Sequence, residues 1–273
     1  MKNLKNLMIL FMGVALVTSC SDDDTNTFVG QKKVFALSSV AVPSISGTAT
    51  FIENADNSTT VELKLNGTPD GGMHPAHIHF NTAAEGGDIA ITLGTVNGTT
   101  GFSTVTFSKL DNGTAVTFDQ ILDFNGYINV HLSATELGTI VAQGDIGQNE
   151  LTGTSKAYVL NEKDVPGING TATFFERKNG DALAVLNIVN TPAGGMHPAH
   201  IHMGSVATSP GAITFTFNPV NGDTGMSKTN VSKLDNQTAF GYSDVLTTNG
   251  YVNVHLSAEA LGTIVAQGNI GVN

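Results

Sequence analysis

Apolar and polar residues alternate along much of this chain. Val61, Leu63 and Leu65 form one run, Ile89, Ile91 and Leu93 a second, and Ile128, Val130 and Leu132 a third. A period of two puts every second side chain on one face of an extended backbone, so each run predicts a strand with one buried face. Breaks at "NGTPDGG", "VNGTTG" and "FNG" recur about every ten residues, the spacing of an antiparallel sandwich or barrel of about seven to nine short strands. Only "FDQILDF" and "SATELG" suggest a helical turn.

The pattern is written twice. "KKVFALSSVAVPSISGTATF" at residues 32–51 matches "SKAYVLNEKDVPGINGTATF" at 155–174, an offset of 123. After a one-residue insertion near Ser209 and Pro210 the offset is 124. "SKLDN" recurs at Ser108 and Ser232, "GYINVHLSA" at Gly126 returns as "GYVNVHLSA" at Gly250, and "LGTIVAQG" recurs at Leu137 and Leu261. A unit of about 118 residues can bury its own core and is too long for a solenoid repeat. The chain thus divides into a domain at 32–149, a linker at 150–154 and a second domain at 155–273. The expected fold is all-β, two tandem antiparallel β-sandwiches.

Composition supports a folded chain, with 40% apolar and 13% charged residues. The net charge is −11 and Arg177 is the only arginine, which argues against nucleic acid as a partner. At the N-terminus, Lys2 and Lys5 precede an apolar run at 7–17 that is too short to span a bilayer. Val17-Thr18-Ser19-Cys20 follows and resembles a bacterial lipobox. Residues 1–19 therefore read as a lipoprotein signal peptide, Cys20 as the lipidated residue and membrane anchor, and 20–31 as an acidic flexible tether. Cys20 is the only cysteine, so no intrachain disulfide forms. Loss of Lys2 and Lys5 from the 12 basic residues leaves ten against 23 acidic ones, a net charge of −13. Ser21 and the run Asp22, Asp23, Asp24 resemble the surface-export tag of some outer-membrane lipoproteins, or else form a solvated tether. The expected location is the outer membrane, facing outward.

All eight histidines fall in the repeated blocks. "GGMHPAHIH" supplies His74, His77 and His79, then His197, His200 and His202; "NVHLSA" supplies His131 and His255. Pro75 lacks a donor and is expected to start a strand, after which His77 and His79 share one face and Ile78 the other. In the later strand His131 and Asn129 oppose Ile128, Val130 and Leu132. Apolar residues take the core, so both histidine sets face outward, and if the strands are neighbours three imidazoles converge. His74, on the preceding loop, is expected to close over them as a fourth ligand, with Asn129 and Asn253 as outer partners. His197, His200, His202 and His255 repeat the set. Neutral imidazoles suit Zn²⁺ or Cu²⁺. The competing reading is a structural network of imidazoles hydrogen-bonded across strands. Met73, Met196 and Met203 are soft enough for copper but more often fill apolar gaps. While "FIENADNSTTVELKL" and "FFERKNGDALAVLNI" differ widely between the copies, "GGMHPAHIH" and "NVHLSA" are unchanged.

These motifs resemble the chordin-type (CHRD) domain: a "GTATF" strand at 47–51 and 170–174, the "HPAHIH" block at 74–79 and 197–202, "YINVH" at 127–131 or "YVNVH" at 251–255, and the closing strand at 138–143 and 262–267. Where that family often has Arg before its last Gly-Gln, this chain has Val141-Ala142-Gln143 and Val265-Ala266-Gln267. The resemblance implies an extracellular immunoglobulin-like or superoxide-dismutase-like sandwich and no defined catalytic residue. The expected function is a non-enzymatic binding module for a metal ion or an extracellular partner. The alternatives are a copper- or zinc-dependent redox enzyme and a purely structural envelope module. A dismutase would need further histidines, a bridging imidazole and a zinc-ligating Asp, which this pattern lacks.

Overall fold

The computed structural model describes residues 28–273; the stretch expected to be a signal peptide, Cys20 and the expected tether up to residue 27 lie outside the described residues. In the first repeat the chain forms β1 (Lys32–Ser39), β2 (Ser46–Glu53), β3 (Thr59–Asn66), β4 (Met73–Phe80), β5 (Ile89–Asn97), β6 (Phe102–Phe107), the short helix α1 (Phe118–Leu122), β7 (Asn125–His131) and β8 (Ile140–Gly147). Alternation sets these strands as expected: in β3, Val61, Leu63 and Leu65 are buried while Lys64 and Asn66 are exposed. "FDQIL" does form the helix, begun by a capping box in which Gln120 N donates to the Thr117 hydroxyl and Thr117 N donates to Gln120 Oε1. "SATELG" forms only turns.

Hydrogen bonding runs in the order β1-β2-β3-β6-β5-β4-β7-β8 and returns to β1 through Ser38 and Ser39 against Gln143 and Ala142. The two expected layers are thus joined into a closed antiparallel barrel, which leaves no free strand edge. Phe35, Phe51, Leu63, Ile78, Leu93, Ile128 and Val130 fill its interior. Strict register is broken at three places in this repeat, between Pro75 and His77 and between Ile78 and His79 against β5, and between Val130 and His131 against β8. Ile78 pairs with Ile91 but His79 pairs with Ile89, so Ala90 is an extra residue in β5. Ala90 and Ile91 both turn inward and Ile89 is 46% exposed.

The second repeat follows the same path as β9 (Leu151–Glu162), β10 (Asn169–Arg177), β11 (Ala182–Val189), β12 (Met196–His197), β13 (Ala199–Met203), β14 (Ile213–Thr216), β15 (Val220–Asn221), β16 (Met226–Val231), α2 (Tyr242–Thr247), β17 (Asn249–His255) and β18 (Ile264–Gly271). These strands make one curled sheet in the order β12-β15-β16-β11-β10-β9-β18-β17-β13-β14. Its two ends are halves of the same elements: β12 and β13 correspond to β4, and β14 and β15 to β5. The breaks fall at Pro198 and Pro219, whose counterparts Pro75 and Thr95 are paired in the first barrel. With proline at both positions no N–H remains to bridge them, and the ladder splits. This repeat has its own core around Phe174, Leu186, Ile201, Phe217 and Val252.

Residues 151–154, expected as part of a linker, are instead the start of β9, which pairs along β10 from Arg177↔Leu151 to Gly170↔Leu160. Strand hydrogen bonds therefore reach back to the junction of the domains. Arg177, fully buried, crosses that junction: its Nη1 donates to Asp145 Oδ2 at 2.7 Å and to the Asn149 carbonyl at 2.6 Å, while Nε donates to Asn230 at 2.9 Å. Lys33 and Glu150 add a partly exposed ion pair at 2.7 Å. No helix of the described residues is long and apolar enough to cross a membrane.

Candidate metal centre

β4 lies between β5 and β7, with His77 opposite Asn129 and His79 opposite Tyr127. Because Ile78, Ile128 and Val130 are wholly buried, strand alternation turns His77, His79 and His131 to the outer face. His131 stands diagonally from His77, two residues beyond its partner, within reach of a long side chain. The three rings converge, with centroids 5.1 Å apart for His77 and His131, 5.8 Å for His77 and His79, and 6.3 Å for His79 and His131. In the second domain the corresponding separations among His200, His202 and His255 are 5.1, 5.9 and 6.3 Å. In each trio, one nitrogen per ring lies within 4.8 Å of the other two.

The hydrogen bonds identify which nitrogen each ring offers. His79 Nδ1 is 2.9 Å from the Gly87 carbonyl and His131 Nδ1 is 2.6 Å from the Leu137 carbonyl. A carbonyl only accepts, so each Nδ1 carries the proton and each Nε2 keeps its lone pair. His202 and His255 repeat this with Gly211 at 2.9 Å and Leu261 at 2.6 Å. The insertion near Ser209 leaves the Gly211 acceptor in place. In the second domain His202 Nε2, His255 Nε2 and His200 Nδ1 are all buried without a hydrogen-bond partner among the described residues. Each such lone pair costs about 1–3 kcal/mol if it stays unpaired, so three in one place are an expensive arrangement for a purely structural network. In the first domain His77 Nδ1 lies 3.0 Å from His131 Nε2, and because His131 keeps its proton on Nδ1, His77 Nδ1 donates this hydrogen bond and must give up that proton, or turn its ring, to become a ligand.

Burial also keeps the rings neutral. It lowers the pKa of His77, His131, His200 and His255, with neighbouring imidazoles pushing the same way; for His200, burial, His255 and His202 together bring it to about 4. At pH 7 these rings therefore present lone pairs and not charge. Tyr127 stacks on His79 with centroids 5.0 Å apart, and Tyr251 on His202 at 5.1 Å, fixing the ring planes. Three neutral nitrogens without thiolate or carboxylate in the group suit Zn²⁺ or Cu²⁺ and suit Mg²⁺ or Ca²⁺ poorly. Around a tetrahedral zinc, ligand nitrogens stand about 3.3 Å apart, so a small closure of the trio completes the geometry.

His74 and His197 do not join the trios. The strand begins at Met73, ahead of the proline expected to start it, so His74 lies inside the strand with the parity of Ala76 and Ile78. It points into the barrel, 0% exposed, with Nδ1 3.2 Å from the carbonyl of His131; His197, 1% exposed, has the same place in the second domain. It supports the trio from beneath instead of closing over it. Asn129 and Asn253 share the outer face with the trio; the Oδ1 of Asn129 accepts from Gln143 at 2.8 Å, and Asn253 faces Gln267. Met73, Met196 and Met203 are at least half exposed and fill no gap in the core. The carbonyls of Gly87 and Leu137 and the stacked tyrosines were not candidates from sequence. Recurrence of "GY" and "LGTIVAQG" beside the histidines was the signal available for Tyr127 and Leu137. Compared with protein families and with curated proteins, the chain matches no family model and no curated protein.

Proposed function

We propose that this protein is a non-enzymatic, envelope-anchored metal-binding module in which two chordin-like domains each hold one Zn²⁺ or Cu²⁺ on three imidazoles. The observation that carries the reading is the second-domain trio: three buried ring nitrogens lacking partners among the described residues, two of them aimed by a carbonyl on the opposite nitrogen. That pairing of ligand and outer hydrogen bond is the usual support of a metal-bound histidine. The repetition of the ring separations to within 0.1 Å favours a shared ligand over two independent packing solutions. Equilibrium dialysis against Zn²⁺ or Cu²⁺ should give about two ions per chain, one for each three-nitrogen site. The double variant His77→Ala/His200→Ala should bind neither with better than micromolar affinity. Fewer than one ion per chain in the unaltered protein would eliminate the metal reading and leave the structural network.

Anchoring follows from the lipobox-like Val17-Thr18-Ser19-Cys20 and the Ser-Asp-Asp-Asp run after it. In this reading Cys20 carries the lipid and the domains stand outside the outer membrane. Cys20→Ala should move the protein from the membrane fraction to the soluble one, and protease added to intact cells should degrade the unaltered protein. Full protection of the protein on intact cells would defeat surface display.

A further inference from the structure

Two grooves in the surface share the same walls. One, of about 490 Å³, opens at the junction of the domains; the other, of about 350 Å³, opens on the second domain alone. The second is lined by Val159, Asn161, Val206, Gln267, Gly268 and Asn269, and each of these has its counterpart, 123 or 124 residues earlier, in the wall of the first. Ala83 N donates to Asp145 Oδ1 at 2.8 Å beside the first groove, and Val206 N donates to Asn269 Oδ1 at 2.8 Å beside the second. The loops at both are therefore pinned alike, and the two grooves are one feature of the fold repeated.

They differ in what closes them. The first is walled on its far side by Leu151, Leu183 and Lys228 of the second domain, and Arg177 from the same surface holds Asp145. This groove is thus a receptacle for a domain of the same fold. Among the described residues no such surface meets the second groove, and Val159, which replaces Ala36, is 64% exposed there. The matching surface lies on the first domain, where Phe28, Asn54, Thr60 and Thr104 correspond to Leu151, Arg177, Leu183 and Lys228. Phe28 is 49% exposed, whereas its counterpart Leu151 lines the first groove. Charge is lost on both sides together: Asn54 replaces Arg177 and Asn269 replaces Asp145. Docking this surface on the second groove would therefore bury neither an unpaired guanidinium nor an unpaired carboxylate.

We propose that the groove of the second domain takes the Phe28 surface of the first domain of another copy, repeating between chains the junction that Arg177 makes within one. Interfaces between the domains of one chain resemble those between separate chains, so one kind of surface serves both. The contact is head-to-tail. Each pair of copies keeps one groove and one Phe28 surface free, so association continues instead of closing at a dimer.

The test follows the soluble Cys20→Ala chain by sedimentation equilibrium, in chelator so that no ion bridges histidines of two copies. Its average mass should climb past that of a dimer as concentration rises to about 1 mM, the effective concentration typical of tethered partners. Val159→Lys and Phe28→Lys should each hold the chain as a monomer. Both positions are exposed, so thermal unfolding of either variant should match the unaltered protein. Mixed together, the two variants should form dimers and nothing larger, since one keeps a working Phe28 surface and the other a working groove. Asn54→Arg/Asn269→Asp, which restores the charge pair of the internal junction, should tighten association about tenfold or more; Asn269→Asp alone should weaken it. A monomer at every concentration overturns the proposal, as does a plateau at the dimer or a mixture of the two lysine variants that stays monomeric.

Discussion

Arg177→Ala is expected to cost the protein about 3–5 kcal/mol, the penalty of removing one partner from a buried ion pair. Arg177 has no exposed surface, and its Nη1 serves both Asp145 and the Asn149 carbonyl of the other domain. Alanine removes the cation, strips Asp145 of its partner and opens a void where the domains meet. The loss reaches the first histidine trio as well. Asp145 uses its other oxygen to accept from Ala83 N at 2.8 Å, and Ala83 lies on the loop that supplies the Gly87 carbonyl to His79. The pair itself is not ideal, because Arg177 Nη2 is buried with no partner among the described residues. Replacing both ions by apolar residues, Asp145→Leu/Arg177→Met, should therefore recover much of the loss, since a buried pair and a packed apolar substitute are often close in stability. Urea unfolding of the full chain measures both. A loss below about 1 kcal/mol in Arg177→Ala, the scale of a surface ion pair, would show that the junction does not depend on this residue.

Much of the fold was legible because alternation and core burial are one constraint seen twice: a strand with one apolar face has one way to lie on a core. That reasoning placed His77, His79 and His131 on the outer face. It failed where register carried an extra residue, at Ala90, because a bulge has no apolar pattern of its own. It also misplaces His74, because the missing N–H of Pro75 points to a strand start while β4 runs from Met73 through the proline. Which strands are neighbours was only a condition in the sequence reading; the pairing of β4 with β7 comes from chain topology, which alternation does not encode. The carbonyls of Gly87 and Leu137 were beyond reach for a different reason, since a backbone oxygen has no residue type to mark it. Arg177 has Asn54 at the corresponding place in the first repeat, so comparison of the copies, which singled out the histidines, passed over it.

Acidification should destabilise the metal-free protein before its carboxylates titrate. His77, His131, His200 and His255 all have lowered pKa values in the folded state, burial being the first cause in each, against about 6.5 in an unfolded chain. Below pH 6.5 the unfolded state therefore binds more protons than the folded one, and the linkage makes stability fall as pH falls. The contribution is complete above about pH 6.5 and is lost as pH drops toward the folded-state values, which for His200 means to about 4. Aspartate and glutamate titrate near the bottom of that window, so the interval from pH 6.5 to 5 isolates the imidazoles. Urea midpoints of the metal-free protein should decline across it, and His77→Asn/His200→Asn should flatten the slope by removing the half-buried ring of each trio. Zinc at about 100 times its dissociation constant should add about 2.7 kcal/mol per site at pH 7 by mass action. That gain should vanish over the same interval, because an ion and a proton compete for one lone pair. Parallel profiles for the unaltered and variant proteins between pH 6.5 and 5 would sink the claim that these rings are held neutral. A neutral trio is what a divalent ion needs at pH 7, since it then displaces no proton from those rings on binding, and the burial that makes the site costly in acid prepares it for the metal.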